Sequence, residues 1–359
     1  MCGVSGTKHR GHSMLCILPP HMLDQIVSNG TPDQRAAALK TLAIDDAMRS
    51  LRAGATPAPV LTRALPQKRS ASPKKRRTIY DAAGSQQLPG KSIRKEGAKP
   101  VGDASVDEAY DGLGATFDFY LDTYHRNSID DAGLVLNASV HFGVDYDNAF
   151  WNGRQMVFGD GDAKLFNRFT TALDVIGHEL SHGVTANEAG LLYLDQAGAL
   201  SESLSDVFGS LIKQYAQKQD ALQADWLIGA GLFTKSVSGV ALRSMKAPGT
   251  AYDDPVLGKD PQPSHMQGFV HTTADNGGVH INSGILNRAF YAAAVEIGGY
   301  AWNVAGRIWY ETLRDPHLKP NANFGAFAKL TIQTAGRLFT ATGREAAAVT
   351  QAWKQVGVL

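Results

Sequence analysis

The sequence predicts an α+β chain with two lobes, one rich in strands and one helical, preceded by a small N-terminal module. Three observations carry that expectation. Short alternating runs bounded by Gly and Asp fill residues 79–156, above all 134–142 (LVLNASVHF), as twisted strands require. Beyond Phe169 the apolar spacing turns helical, with helices expected over 171–187, 197–217, 282–297, 301–313, 324–339 and 344–356. Ahead of the first strands lie a Pro/Ala/Thr-rich stretch and a run of six basic residues with no acid (68–77, KRSASPKKRR), which read as an exposed linker. A strand-rich half followed by a helical half leaves a cleft between them.

In the N-terminal module, Thr31-Pro32 supplies an N-cap and first-turn residue for a helix through Ala36, Leu39, Leu42 and Met48. A module of about fifty residues buries little core of its own, so it leans on the rest of the chain. Composition narrows the classes of function. A chain of 359 residues, 43% hydrophobic and 19% charged with net charge +1, is a folded protein rather than a disordered one. Its apolar runs are too interrupted for a membrane span. Both cysteines, Cys2 and Cys16, precede the bulk of the chain, which excludes a disulfide framework there. The near-neutral balance argues against nucleic acid or a membrane as partner. The basic run lacks interleaved aromatics, which suits a processing linker better than a nucleic-acid arm.

The segment that carries chemistry is Asp174-Val-Ile-Gly-His178-Glu179-Leu-Ser-His182. Residues four apart on a helix share a face, so His178 and His182 can present both imidazoles to one ion. Glu179, beside the first ligand, can address a water rather than the metal. Zinc suits such a set, because imidazole and carboxylate are its usual ligands and a catalytic site keeps one position open. The competing reading is two hydrogen-bonded histidines on an amphipathic helix. A third ligand favours the metal. Glu202, in Ser201-Glu202-Ser-Leu-Ser-Asp206, belongs to the next helix, which could return antiparallel and bring it to the same ion. Asp206, one turn on, can accept the other N–H of a ligating histidine.

At these residues the sequence resembles the thermolysin-like zinc metalloendopeptidases. The likeness runs through 178–182, 190–206 (GLLYLDQAGALSESLSD), Asn148-Ala149-Phe150-Trp151 and Asp275-Asn-Gly-Gly-Val-His280, and covers residues 78–359. It implies a two-lobed thermolysin-like catalytic unit, with a strand-rich lobe over 78–193 and a helical lobe over 194–359. It also implies Zn²⁺ on His178, His182 and Glu202, Glu179 as general base, and Asp206 as the partner of His178. Tyr193 and His280 would bond the oxyanion, with Asp275 orienting His280. Asn148, the Ala149 backbone and Arg243 would grip the main chain of a protein or peptide substrate. Phe166, Val175 and Leu242 would line a pocket that favours cleavage before a bulky apolar residue. A silent binding fold and an aminopeptidase are the alternatives, the latter lacking recognisable acids to capture an amine. Members of the family mostly act outside the cell, whereas the start of this chain shows no export signal. Secretion by a non-classical route is therefore expected, with a cytoplasmic precursor as the alternative.

Three departures stand out. Ser201 occupies the place where relatives with long propeptides usually carry Asn toward His182. Asp174 remains from the family's double calcium site, but Lys213, Leu227 and Ala230 replace its other acids, and an ammonium repels Ca²⁺. That site is expected to be missing, with Lys213 pairing Asp174 or Asp225. The N-terminal module resembles the short propeptide of the protealysin-like subgroup through Cys16-Ile-Leu-Pro19-Pro20-His21-Met22-Leu23. In that subgroup the segment enters the primed side of the cleft. Pro19-Pro20 is extended and lacks N–H donors, and Leu23 or Met22 could fill the apolar pocket. Pro19-Pro20 merely starting the next helix is the alternative, and Cys16 on the zinc is a bolder one. Residues 1–52 thus read as an inhibitory propeptide. Residues 53–77 read as the segment cut on activation, by the chain itself at Val60, Leu61 or Leu65 or by a trypsin-like partner.

Overall fold

A computed structural model describes residues 15–54 and 73–359. The N-terminal module is a short strand β1 (Leu15–Cys16) and two packed helices, α1 (Pro20–Asn29) and α2 (Pro32–Gly54). Pro19 is extended (φ −72°, ψ 146°) and Pro20 opens α1, where its missing N–H costs nothing. The helix-start reading of the proline pair is borne out, while the residues just ahead of it, Cys16 and Leu18, lie against His280 and Asn148. Thr31 and Gln34 exchange side chain-to-backbone bonds at 3.4 and 2.8 Å, a reciprocal cap that starts α2 where Thr31-Pro32 predicts it.

The first lobe holds β2 (Arg77–Asp81), β3 (Lys91–Lys95), α3 (Ala104–Tyr124), β4 (Leu136–Val140), β5 (Ala149–Trp151) and β6 (Met156–Phe158). The strands form one sheet in the order β1-β5-β6-β4-β2-β3, so β1 of the N-terminal module is its edge strand. The expectation of strands alone over 79–156 is corrected by α3. Asp103 caps it by accepting from Val106 N–H at 3.2 Å, and Val106, Ala109, Leu113, Phe117 and Tyr120 recur along one buried face.

Beyond Phe169 the helical texture is borne out by α4 (Leu173–Glu188), which ends the first lobe, and by α5 (Asp195–Gln217), α6 (Asp275–Ile297), α7 (Ala305–Leu313), α8 (Phe324–Leu338) and α9 (Arg344–Gln355) of the second. Asp174 of α4 meets Lys213 of α5, and His182 meets Glu202, so the two helices run antiparallel. Glycine makes their closeness possible. A Cβ on Gly209 would stand 2.4 Å from the Asp174 carbonyl oxygen and 3.0 Å from His178 N.

Residues 55–72, with Val60, Leu61 and Leu65, lie outside the described residues. The end of the basic run is not free linker. Lys75 pairs with Asp118, Arg76 donates to the Gly133 carbonyl at 2.6 Å, and Arg77 is buried between Glu96 and the Tyr110 ring. Among the described residues no helix is long and apolar enough to cross a membrane.

Candidate active site

The helix α4 turns His178 and His182 to one side with their Nε2 atoms 3.0 Å apart. Glu202 enters from α5, its carboxylate oxygens 3.4 Å from each of those nitrogens. These are the three metal-capable groups that converge among the described residues, and all are buried. A tetrahedron with bonds of about 2.0–2.1 Å to nitrogen and oxygen has edges of about 3.3–3.4 Å, so the spacing fits zinc. Each imidazole is held by its other nitrogen. His178 Nδ1 lies 2.8 Å from Asp206 Oδ1, and His182 Nδ1 lies 2.9 Å from Ser205 Oγ. Burial holds His182 down to about 3, whereas His178 is raised to about 9 by Asp206 and Glu202 against its own burial. Ser205, not Ser201, is thus the hydroxyl at His182. It lies on the Glu202 face three residues on, and that spacing is the signal the motif comparison passed over.

Asp206 is a fully buried hub. Its carboxylate receives Arg243 Nε and NH2 at 2.9 and 2.8 Å and Asn287 Nδ2 at 2.8 Å, besides touching His178. Glu179 has one oxygen fixed by Trp151 N–H at 3.0 Å, while its Oε1 is buried and unpartnered. Burial pushes Glu179 up to about 8, with Glu202 adding to the rise and His178 opposing it. On the far wall, four consecutive left-handed residues open α6: Asp275, Asn276, Gly277 and Gly278, with φ of 51°, 51°, 91° and 72°. This turn lets Asp275 bond both His280 N–H (2.9 Å) and His280 Nδ1 (2.7 Å). Burial opposes charge on His280, yet Asp275 and Glu202 outweigh it and raise it to about 9. Tyr193 donates to Glu202 and lies 3.2 Å from His280 Nε2.

The sequence matches the family model for the catalytic domain of thermolysin metallopeptidases over residues 68–186, and the model for their α-helical domain over 189–358. The chain belongs to the thermolysin metallopeptidase family. It is a zinc metalloendopeptidase by that membership, with a ligand set that fits the ion. An extracellular metalloprotease of Pectobacterium carotovorum subsp. carotovorum is 55% identical over 342 residues, covering 95% of this chain and 96% of its own. Protease PrtS of Photorhabdus sp. (strain Az29) is 53% identical over 284 residues, covering 79% of this chain and 76% of its own. The solved precursor of protealysin, a metalloproteinase from Serratia proteamaculans, superposes with a TM-score of 0.87 at 53% identity, covering 96% of this chain and 100% of its own.

The remaining expected residues meet the N-terminal segment. Cys16 O lies 3.1 Å from His280 Nε2, and Ile17 N–H donates to Ala149 O at 3.2 Å. Arg243 NH1 donates to Ile17 O at 3.1 Å, and Leu18 N–H to Asn148 Oδ1 at 3.0 Å. The grip falls on Ile17 and Leu18, ahead of Leu23, which is buried on α1 together with Met22. Pro20 and Leu18 line the cleft opposite Asp275. Phe166, Val175 and Leu242 are buried in the same apolar cluster as Ile17 and Leu18. The Cys16 side chain packs instead with Phe142, Tyr146, Phe150 and Val157, outside the metal-capable group. Two residues of α2 had no signature in the sequence. Asp45 accepts from Tyr146 OH (2.6 Å) and Asn148 Nδ2 (3.0 Å), and Thr41 Oγ1 accepts from Asp147 N–H (3.1 Å).

The calcium-like corner is also explicit. Lys213 Nζ sits 2.8 Å from Asp174 Oδ2, 2.8 Å from Asp225 Oδ1 and 2.8 Å from the Leu227 carbonyl oxygen. It pairs with both candidate carboxylates, not one.

Proposed function

We propose that the chain is made as a self-inhibited precursor and hydrolyses peptide bonds ahead of bulky apolar residues, with Glu179 as general base. The observation that carries this reading is the Glu179 carboxylate, steadied at one oxygen and unpartnered at the other, on the same helical turn as the ligand cluster. Zinc, when bound, polarises water and carbonyl groups and lowers the pKa of water toward about 7. Glu179 takes the proton of the attacking water and hands it to the leaving nitrogen. Tyr193 and a protonated His280, steered by Asp275, donate to the carbonyl oxygen as charge builds, each such donor contributing about 3 kcal/mol. Arg243, Asn148 Oδ1 and Ala149 O take the substrate main chain, and Phe166, Val175 and Leu242 its apolar side chain.

Residues 15–18 already use those main-chain groups, so the N-terminal module competes with substrate. On this reading 1–52 is an inhibitory propeptide, 53–77 is cut on activation, and the mature enzyme works outside the cell. The Lys213 ammonium stands in for calcium between Asp174 and Asp225. Casein hydrolysis by the trypsin-processed chain tests the reading. It should vanish with chelator, return with zinc, and fall about 10²–10⁴-fold in Glu179→Gln. An undiminished rate in that variant or in chelator contradicts it.

A further inference from the structure

The N-terminal segment is held in a defined register. Its strand pairs antiparallel with β5, Leu15 opposite Trp151 and Cys16 opposite Phe150. The contacts that follow bracket a single peptide bond. The carbonyl on its N-terminal side, Cys16 O, faces His280 Nε2, and the N–H on its C-terminal side, Ile17 N, donates to Ala149 O. The next carbonyl goes to Arg243 and the next N–H to Asn148. A peptide bound for hydrolysis needs its reacting carbonyl beside the oxyanion donor and its leaving nitrogen beside an acceptor. Cys16–Ile17 meets both needs, and its leaving-side residue is a fully buried aliphatic one.

We propose that Cys16–Ile17 is a substrate bond of the chain that carries it, which the precursor hydrolyses in cis while keeping the downstream piece bound. The inference rests on the endopeptidase reading above. One water is consumed: its oxygen joins the Cys16 carbonyl carbon, the C–N bond breaks, and Glu179 relays a proton to Ile17 N. The products are a Cys16 carboxylate and an Ile17 amine.

Cutting this bond removes few of the contacts that dock the module. The new amine keeps Ala149 O as acceptor, and Ile17 O and Leu18 N–H keep Arg243 and Asn148. The α2 contacts of Asp45 with Tyr146 and Asn148, and of Thr41 with Asp147, lie far along the chain from the cut. Residues from 17 onward therefore remain as a bound product. Hydrolysis at this bond and relief of inhibition are separate events.

The test uses the full-length chain, zinc-loaded, followed by intact mass and N-terminal sequencing. A new N-terminus at Ile17 should accumulate, with a first-order rate unchanged over a 100-fold range of protein concentration. The residue 17 fragment should co-elute with the catalytic unit, and Glu179→Gln should abolish the cut. Amide exchange of the chelated chain gives a readout that needs no turnover: the Ile17 and Leu18 amides should be protected at least 100-fold, and Asn148→Ala should expose Leu18. Rapid exchange at both amides overturns the register. An intact Cys16–Ile17 bond in a sample whose trypsin-processed form cleaves casein overturns the self-cleavage and leaves the endopeptidase reading standing. A sample that cleaves neither sinks both.

Discussion

The helix pair α4 and α5 carries two clusters of charge, one toward each end, and they solve the same problem differently. At one end His178, His182 and Glu202 converge with their donor atoms facing a common point, and the raised His280 lies 3.6 Å from Glu202. At the other, Asp174 and Asp225 face Lys213, whose ammonium lies 2.8 Å from each. A buried carboxylate needs a partner charge to stay ionised. One cluster fixes a permanent ammonium in the chain, and the other offers imidazoles, which hold a proton or, once it is lost, a metal ion. The same scaffold thus separates a structural ion pair from a site with room for catalysis.

The largest expected effect comes from the hub behind the zinc cluster. Asp206→Ala leaves Arg243 buried without its carboxylate and His178 without its Nδ1 partner. A loss of about 3–5 kcal/mol on urea unfolding is expected, with zinc affinity down about 10–100-fold. Lys213→Ala strips the other cluster of its cation and should cost a similar or slightly smaller amount. This variant sharpens the contrast, because millimolar CaCl₂ should raise its melting temperature while leaving the parent chain unmoved. A rise in the parent would break it. Gly209→Ala forces a Cβ to within 2.4 Å of a backbone oxygen between the clusters. About 1–3 kcal/mol should be lost, with weaker zinc retention, since Glu202 would be carried outward with α5.

The smallest effect concerns a third arrangement, on the surface. His141 sits between Asp160 (2.7 Å) and Asp103 (3.0 Å). Burial lowers its pKa, but the two carboxylates outweigh that and leave it raised. A raised histidine stabilises the fold fully below its unfolded value of about 6.5 and loses that contribution as pH climbs through the folded value. Melting temperature should therefore fall more steeply between pH 6 and 8 in the parent than in His141→Gln. Equal slopes would remove His141 from the account.

Legibility in the sequence followed the range of the interactions. His178, Glu179, His182 and Glu202 could be read because one helix period and one helix return fix their spacing. Asp275 and His280 came only through the likeness to the family, and the left-handed turn that couples them, ahead of the helix expected from 282, was not read from the sequence. Helix α3 was missed although Val106, Leu113 and Tyr120 keep helical spacing, because Gly112, Gly114 and several aromatics made the stretch resemble strands and turns. Ser205 was missed for Ser201 because both lie on one face of α5, and which hydroxyl reaches His182 depends on the tilt between two helices. Asp45 and Thr41 are ordinary helix residues until the fold brings them to β5.

The most direct test of the central claim is the zinc content of the purified full-length chain beside that of Glu202→Gln, with circular dichroism to confirm that both are folded. The account predicts close to one zinc per chain in the parent and next to none in the folded variant. Equal zinc in the two would contradict it.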